Sequence, residues 1–404
     1  MREQLINLNG NQKIFYVTTA YPPVPAGSSI INRNLLSKFN PNDFRVFSTK
    51  TDISAKVESF GGVNVERIFK SFYFSSKLNY VLSNLQLKKA ILKVITSAEK
   101  FEPEVIVGVY PDYYFLKIAY EAAKHLQVPF VAYLHDTIIE SSQGSRFEKL
   151  CKELQEDTFR DASALLVMSE GMRDLYSHKY GIQSIPLQHT YLEEIPDRVE
   201  KADNNRQAFW GGDVYAINQN SVNRITDALL QNSCRFFIAS GHDKSYFERI
   251  GLNTDNIDLG FFSKREEYLR YLKNNSILVL ALDWPDESKI HFDELATIFP
   301  TKTPEYLASG IPIIVHCPEE YFMARFFKEN DCGYVVSSRD INEIQKIIRK
   351  ILDDPEHTVG KRLNALKTAH IFDSNLLANK FASIIRQVSS LKWTEKIDYA
   401  TIKH

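Results

Sequence analysis

The sequence predicts an α/β protein built from two successive doubly wound sheets. Three observations lead there. Short apolar runs rich in β-branched residues recur along the chain, segments of helical periodicity separate them, and one polar stretch at 197–206 interrupts the alternation before it restarts. Continuous apolar runs suit parallel strands covered on both faces by helices, and a parallel sheet needs such crossovers. At 404 residues the chain exceeds the commonest single-domain size, so two domains of about 180 residues each are expected.

The first strand is read at Lys13–Thr19, followed by a loop through Gly27, Ser28 and Ser29 and a helix near Ile30–Leu36. Strands follow at Val105–Val109, Phe130–Leu134 and Ala164–Met168, with a sheet-covering helix marked by Tyr114, Leu116, Ala119 and Ala122. After the polar linker the pattern resumes at Gln207–Gly212, Cys234–Ser240, Ile257–Gly260, Ser276–Leu282 and Ile313–Val315. This gives a first domain over 1–200, a second over 201–374, and a C-terminal segment over 375–404 with a helix around Asn375–Leu391. Two such units face each other across a cleft in this reading. Ligands of doubly wound sheets bind beyond the carboxyl ends of the strands, so the loops after Thr19, Leu134, Met168, Trp210, Ser240 and Leu282 are where function is sought.

Composition excludes several classes. Apolar residues make up 44% and charged residues 25%, ordinary for a soluble globular chain, and a formal charge of −1 gives no global pull toward nucleic acid. The start lacks the apolar core of a secretory signal and no run is long enough to span a bilayer, which predicts a cytoplasmic protein. Cys151, Cys234, Cys317 and Cys332 show no paired-ligand spacing, and neither a His/Cys cluster nor an Asp-X-Asp pattern at a strand end suggests a metal. The first strand does not lead into the glycine fingerprint of a dehydrogenase.

The densest chemistry lies in Phe299–Val315, which reads as a loop, a helix with a basic, polar start, a glycine stop at Gly310 and an apolar strand. Thr303 is expected to cap the helix, with Pro304 at its first position. Free N–H groups at the helix start, with Thr301 and Lys302 beside them, suit an anionic diphosphate, and Glu305 in the first turn suits a polyol such as ribose.

This stretch resembles the donor-binding motif of retaining two-domain glycosyltransferases, glycosyltransferase family 4 of the group 1 enzymes. Family members carry two glutamates separated by seven residues. The second falls on Glu305, within Glu-Tyr-Leu-Ala-Ser-Gly-Ile-Pro at 305–312, whereas the first would fall on Thr297. The motif is therefore degenerate, and ribose recognition transfers while the usual sugar contact does not. The resemblance covers most of the chain and implies a GT-B fold: two Rossmann-like domains, the nucleotide on the second, the acceptor largely on the first, and a final helix crossing back to the first domain.

It also implies roles for residues at the strand ends. Gly27 and Ser28 match a glycine-rich loop that approaches the donor. His135 and Asp136, after the run ending at Leu134, are the catalytic candidates: His135 as a contact to sugar or acceptor hydroxyls, Asp136 orienting it or the acceptor. Ser169 is expected to line the cleft, and Gly212 belongs to the turn that opens the second domain. Relatives follow that turn with an arginine and a lysine that neutralise the leaving diphosphate. Neither stands at matching spacing here, leaving Arg224, Lys244 and Lys302 as the basic alternatives. Asp286, Glu287, Asp293 and Glu294 form an acidic loop, read as an acceptor or sugar contact or as a solvated turn.

The resemblance implies a transferase that moves a sugar from a nucleoside-diphosphate sugar, UDP or GDP, to a hydroxyl of a carbohydrate or lipid-linked glycan, in bacterial surface polysaccharide synthesis. No cofactor and no metal are assigned, and nucleic acid is not a partner. Two other readings share the pocket: a nucleotide-sugar epimerase or hydrolase, and a non-catalytic nucleotide-sugar-binding subunit. The segment from Arg67 through Lys93, rich in Phe, Tyr, Leu and Lys, reads either as a core helix plus a covering loop or as a peripheral contact to the inner face of an anionic membrane.

Overall fold

The structure is a computed structural model that describes residues 5–6, 8, 12–24, 26–68, 77–200, 205–255 and 257–402, with the backbone alone over 77–83. It divides into two compact units, Met1–Leu192 with Asp373–His404, and Glu193–Phe372.

The first unit holds an eight-stranded sheet: β1 (Ile14–Val17), β2 (Phe44–Thr49), β3 (Ser59–Phe60), β4 (Val63–Ile68), β5 (Val105–Tyr110), β6 (Phe130–Leu134), β7 (Ala164–Val167) and β8 (Ile185–Pro186). The order is β3-β4-β2-β1-β5-β6-β7-β8. All described neighbours run parallel except the β3–β4 hairpin. Its crossovers are α1 (Gly27–Leu36), α2 (Lys77–Phe101), α3 (Tyr113–Leu126), α4 (Glu148–Asp161) and α5 (Glu170–Tyr180). Strand β1 pairs with β2 on one side and β5 on the other, so the chain reverses its direction of travel between β1 and β5. That reversal opens a crevice at the carboxyl end of β1, and α1 begins there.

The second unit holds six parallel strands: β9 (Gln207–Gly211), β10 (Arg235–Ala239), β11 (Ile257–Gly260), β12 (Ile277–Ala281), β13 (Ile313–His316) and β14 (Tyr334–Val336). Their order is β11-β10-β9-β12-β13-β14, with the reversal between β9 and β12. The helices are α6 (Gln219–Gln231), α7 (Lys244–Arg249), α8 (Arg265–Lys273), α9 (Phe292–Thr297), α10 (Thr303–Ser309), α11 (Phe322–Glu329), α12 (Ile341–Asp353) and α13 (Val359–Ala369). The last helix, α14 (Ser374–Val388), belongs to the first unit, where Phe381 packs edge-on against Phe39 with ring centroids 5.8 Å apart.

Several sequence expectations change. The first helix starts at Gly27 rather than near Ile30, so Gly27 and Ser28 are its first turn. The second unit begins at Glu193 rather than at 201: Glu193 pairs with Arg265, and the Glu200 carbonyl accepts from Arg362 Nη2 at 2.5 Å. Thr303 is not the cap of α10. Lys302 occupies the capping position without a side-chain hydrogen bond, and Thr303 is the first helical residue. Of the Arg67–Lys93 segment, Lys77 onward is helix, while the loop part at 69–76 lies outside the described residues.

Candidate functional site

In the second unit the site is built at the end of β9, next to the strand-order reversal. Gly211 ends the strand against Tyr268, whose hydroxyl lies 2.6 Å from where a Cβ would stand, and Gly212 takes a φ of +103°. Both positions therefore exclude a side chain at low cost only as glycine. The turn is pinned from several directions. Gly211 N–H donates to the Tyr306 hydroxyl at 2.8 Å, Gly212 N–H to the Ala239 carbonyl at 2.8 Å, and Trp210 Nε1 to the Gly212 carbonyl at 3.0 Å. Asp213 follows, accepting from Ser240 Oγ at 2.6 Å with His242 Nε2 3.7 Å away.

Lys302 and Glu305 come to this turn from α10. Lys302 Nζ donates to the Gly211 carbonyl at 2.8 Å and lies 3.2 Å from the centroid of the Trp210 ring, a cation–π placement. Burial pushes the Lys302 ammonium well below its usual range, while Asp213 and Glu305 pull it back. Glu305, with 14% of its side chain exposed, accepts from Arg265 Nη1 at 2.5 Å, and its charge helps burial raise the pKa of the Tyr268 hydroxyl. Arg265 also grips Glu193 through Nε and, at 2.9 Å, through Nη2. Its guanidinium is raised above its usual range because the two carboxylates outweigh the burial that opposes them. The result is a carboxylate fixed in direction, an ammonium over an indole and a glycine turn, at one strand end. Thr301 is exposed on the loop that leads in, and Thr303 is fully buried. Thr297, where the first glutamate was sought, donates its hydroxyl to the Glu294 carbonyl at 3.0 Å and closes α9.

Two of the expected cations are elsewhere. Arg224 is bound by Glu287 through both guanidinium branches at 2.7 and 3.0 Å, donates to His316 Nε2 at 3.1 Å and stacks on Trp284. Glu287 therefore neutralises it, and it does not join Lys302. Lys244 opens α7 with 60% of its side chain exposed, 3.9 Å from Glu248. The acidic loop is engaged as well: Asp286 and Glu287 both pair with Arg339.

In the first unit, α1 starts behind Ala26, which has no capping side chain. The N–H groups of Gly27 and Ser28 have no intrahelical acceptor, as in any first turn. Ser28 Oγ meets His135 Nδ1 at 2.9 Å. His135, one residue past β6, stands edge-on to Tyr133 with centroids 4.5 Å apart, and its Nε2 is buried with no hydrogen-bond partner. Burial, helped by nearby His189, lowers the His135 pKa to about 3. The ring is thus neutral at pH 7, and Nε2 is available to a ligand hydroxyl as donor or acceptor according to tautomer.

Two expectations change in this unit. Asp136 is exposed and it is Ser28 that meets His135, which leaves Asp136 the reading of an acceptor contact. Ser169 is fully buried as the cap of α5, its Oγ accepting from Met172 N at 3.1 Å, so it does not line a surface.

Sequence reasoning missed Arg265, Glu193, Tyr268, Trp210 and Asp213. Arg265 stands in Lys-Arg-Glu-Glu-Tyr at 264–268, which reads as the solvated face of a charged helix, and nothing local marks it as the partner of Glu305. Among the described residues no group of three or more His, Cys, Asp or Glu side chains is arranged to hold a metal ion.

Residues 218–368 match the family model of Glycosyl transferases group 1. That segment, within the second unit, is similar to the group 1 glycosyltransferases, and the chain has the GT-B fold. The match to this group takes in Arg265, Lys302 and Glu305, and leaves Gly212 and every site residue of the first unit outside it. Sucrose-phosphate synthase from Thermosynechococcus elongatus superposes with a TM-score of 0.71 at 14% identity, over 94% of this chain and 99% of that one. The Anabaena protein HepE in complex with UDP-glucose gives 0.66 at 14% identity, over 94% and 100%. A UDP-N-acetylglucosamine 2-epimerase, so described, from Listeria monocytogenes gives 0.57 at 9%, over 93% and 96%. These likenesses establish the fold. No curated protein sequence matches the chain.

Proposed function

We propose that this protein transfers a glycosyl group from a nucleoside-diphosphate sugar to a hydroxyl of a glycan or lipid-linked acceptor. The observation that carries the reading is the Gly211–Gly212 turn with Lys302 over Trp210 and Glu305 held by Arg265. Glu305 keeps lone pairs for ribose hydroxyls while Arg265 Nη1 holds the carboxylate in place. Lys302 serves the diphosphate, one cation where relatives use two, because the Gly211 and Gly212 N–H groups are already taken by Tyr306 and Ala239. HepE, of like fold, binds UDP-glucose, which makes UDP the first base to try. In the first unit, Gly27, Ser28 and His135 are assigned to the sugar and acceptor on the family resemblance: the neutral imidazole reads a hydroxyl through Nε2. Retention at the anomeric carbon rests on the family resemblance, and in a front-side displacement the departing phosphate receives the acceptor proton. No covalent nucleophile is assigned.

The test is acceptor-dependent transfer from labelled UDP- and GDP-sugars, with the anomeric configuration of the product read by NMR. Transfer with retention supports the proposal. Turnover without an acceptor supports an epimerase or hydrolase, and tight donor binding without turnover supports a binding subunit. The last reading has its own support in Thr297, which cannot supply the carboxylate of the first motif position.

A further inference from the structure

Arg265 divides its guanidinium unequally between two carboxylates. The edge formed by Nε and Nη2, which matches both oxygens of a carboxylate, is given to Glu193: Nε donates to Oε1, and Nη2 donates to Oε2 at 2.9 Å. Glu305 receives a single bond, from Nη1 to Oε1 at 2.5 Å. No bond from Arg265 reaches Oε2 of Glu305. Glu193 is the first residue of the second unit, on the segment by which the chain enters it.

Charge balance does not call for Glu193. Arg265 with Glu305 alone would be neutral, whereas the three side chains set one cation against two carboxylates, and all are only partly exposed. The geometry gives the second carboxylate a different task. Without it the Nε–Nη2 edge would stand open, and a guanidinium beside a carboxylate favours two parallel bonds over one. Arg265 would then turn that edge onto Glu305 and occupy both of its oxygens, the atoms that a ligand's hydroxyls need as acceptors.

We propose that Glu193 is a positioning residue for ribose recognition: by holding the bidentate edge of Arg265, it keeps the Glu305 carboxylate singly bound and open to the vicinal hydroxyls of a nucleotide. This role rests on Glu305 being the ribose contact, and it goes further in naming what sets the preference for ribose over deoxyribose. Glu193 acts through Arg265 and Glu305 and does not itself meet the nucleotide.

The experiment is calorimetric titration of UDP, GDP and their 2′,3′-dideoxy forms into the wild type, Glu193→Gln and Glu193→Gln/Arg265→Lys. The wild type is expected to favour the ribonucleotide over its dideoxy form by about 30-fold, as hydrogen bonds to a charged acceptor allow. In Glu193→Gln that ratio should fall below about 3-fold, while the dideoxy form binds as it does to the wild type because Lys302 and its turn are untouched. An ammonium has no fork and cannot cover both oxygens of Glu305, so the double variant should regain a ratio of about 10-fold. A merely structural Glu193 would shift the melting temperature, or both affinities together, and leave the ratio alone. Glu193→Ala is read in the same way if Glu193→Gln does not fold. A ratio in the single variant as large as the wild type's, or no recovery in the double variant, overturns the role of Glu193 and leaves Glu305 as the ribose contact. Equal binding of ribo and dideoxy forms by the wild type, or no binding of either nucleotide, overturns the reading of Glu305 itself and the role of Glu193 with it.

Discussion

Removing Arg265 should destabilise the second unit by stranding two carboxylates. Its guanidinium joins two carboxylates, Glu193 and Glu305, whose side chains are 32% and 14% exposed beside its own 22%. In Arg265→Gln both carboxylates lose their cation and remain close to each other. Stripping one partner from a fully buried ion pair costs about 3–5 kcal/mol, and the residual exposure here lowers that to about 2–3 kcal/mol. Urea unfolding of the two proteins at pH 7, followed by tryptophan fluorescence, measures this. A deficit below about 0.5 kcal/mol would refute the claim that Arg265 compensates two carboxylates.

The remaining predictions concern pH and the proposed site residues of each unit. Burial holds the pKa values of His135, His189 and His316 down to about 3, about 3 and about 4, so all three stay neutral in the folded protein. Unfolded, each takes a proton near pH 6.5; their stabilising effect is whole above that value and lost as pH falls toward 4, by about 1.4 kcal/mol per unit and histidine at the steepest. A urea midpoint that stays flat between pH 6.5 and 5 would contradict this. Lys302→Met should weaken nucleoside diphosphates by about 10-fold while sparing the free nucleoside. His135→Ala should lower turnover by about 100-fold with little change in donor affinity, and intact turnover would remove His135 from the reaction.

The parts of the fold that were legible are those whose physics is local. Val105–Val109, Phe130–Leu134 and Ser276–Leu282 are continuous apolar runs because both faces of their sheets are covered, and they stand out against any helix. Strands β2 and β4 went unread. In β4, Asn64 and the adjacent pair Glu66 and Arg67 are mixed among buried Val63, Val65 and Ile68, since the strand lies near the sheet edge, and such a mixture in six residues resembles a polar loop. The site divides in the same way. Lys302, Glu305 and the glycine turn carry their chemistry in contiguous residues. The Arg265 contacts reach across 40 residues to Glu305 and 72 to Glu193, and no window of sequence contains them. Ser169 misled because a serine at a strand end has the same sequence context whether it caps the next helix or faces a ligand; only its complete burial separates the two.

Calorimetric titration with UDP, GDP, ADP and TDP and their common sugar conjugates, on the wild type and on Glu305→Ala, bears most directly on the donor pocket. Selective micromolar binding of one nucleotide, weakened at least about 10-fold in Glu305→Ala with its melting temperature preserved, is the predicted result. Absence of binding across the panel by folded protein, or equal affinity in the variant, would contradict the assignment of Glu305 and its turn to a nucleotide sugar.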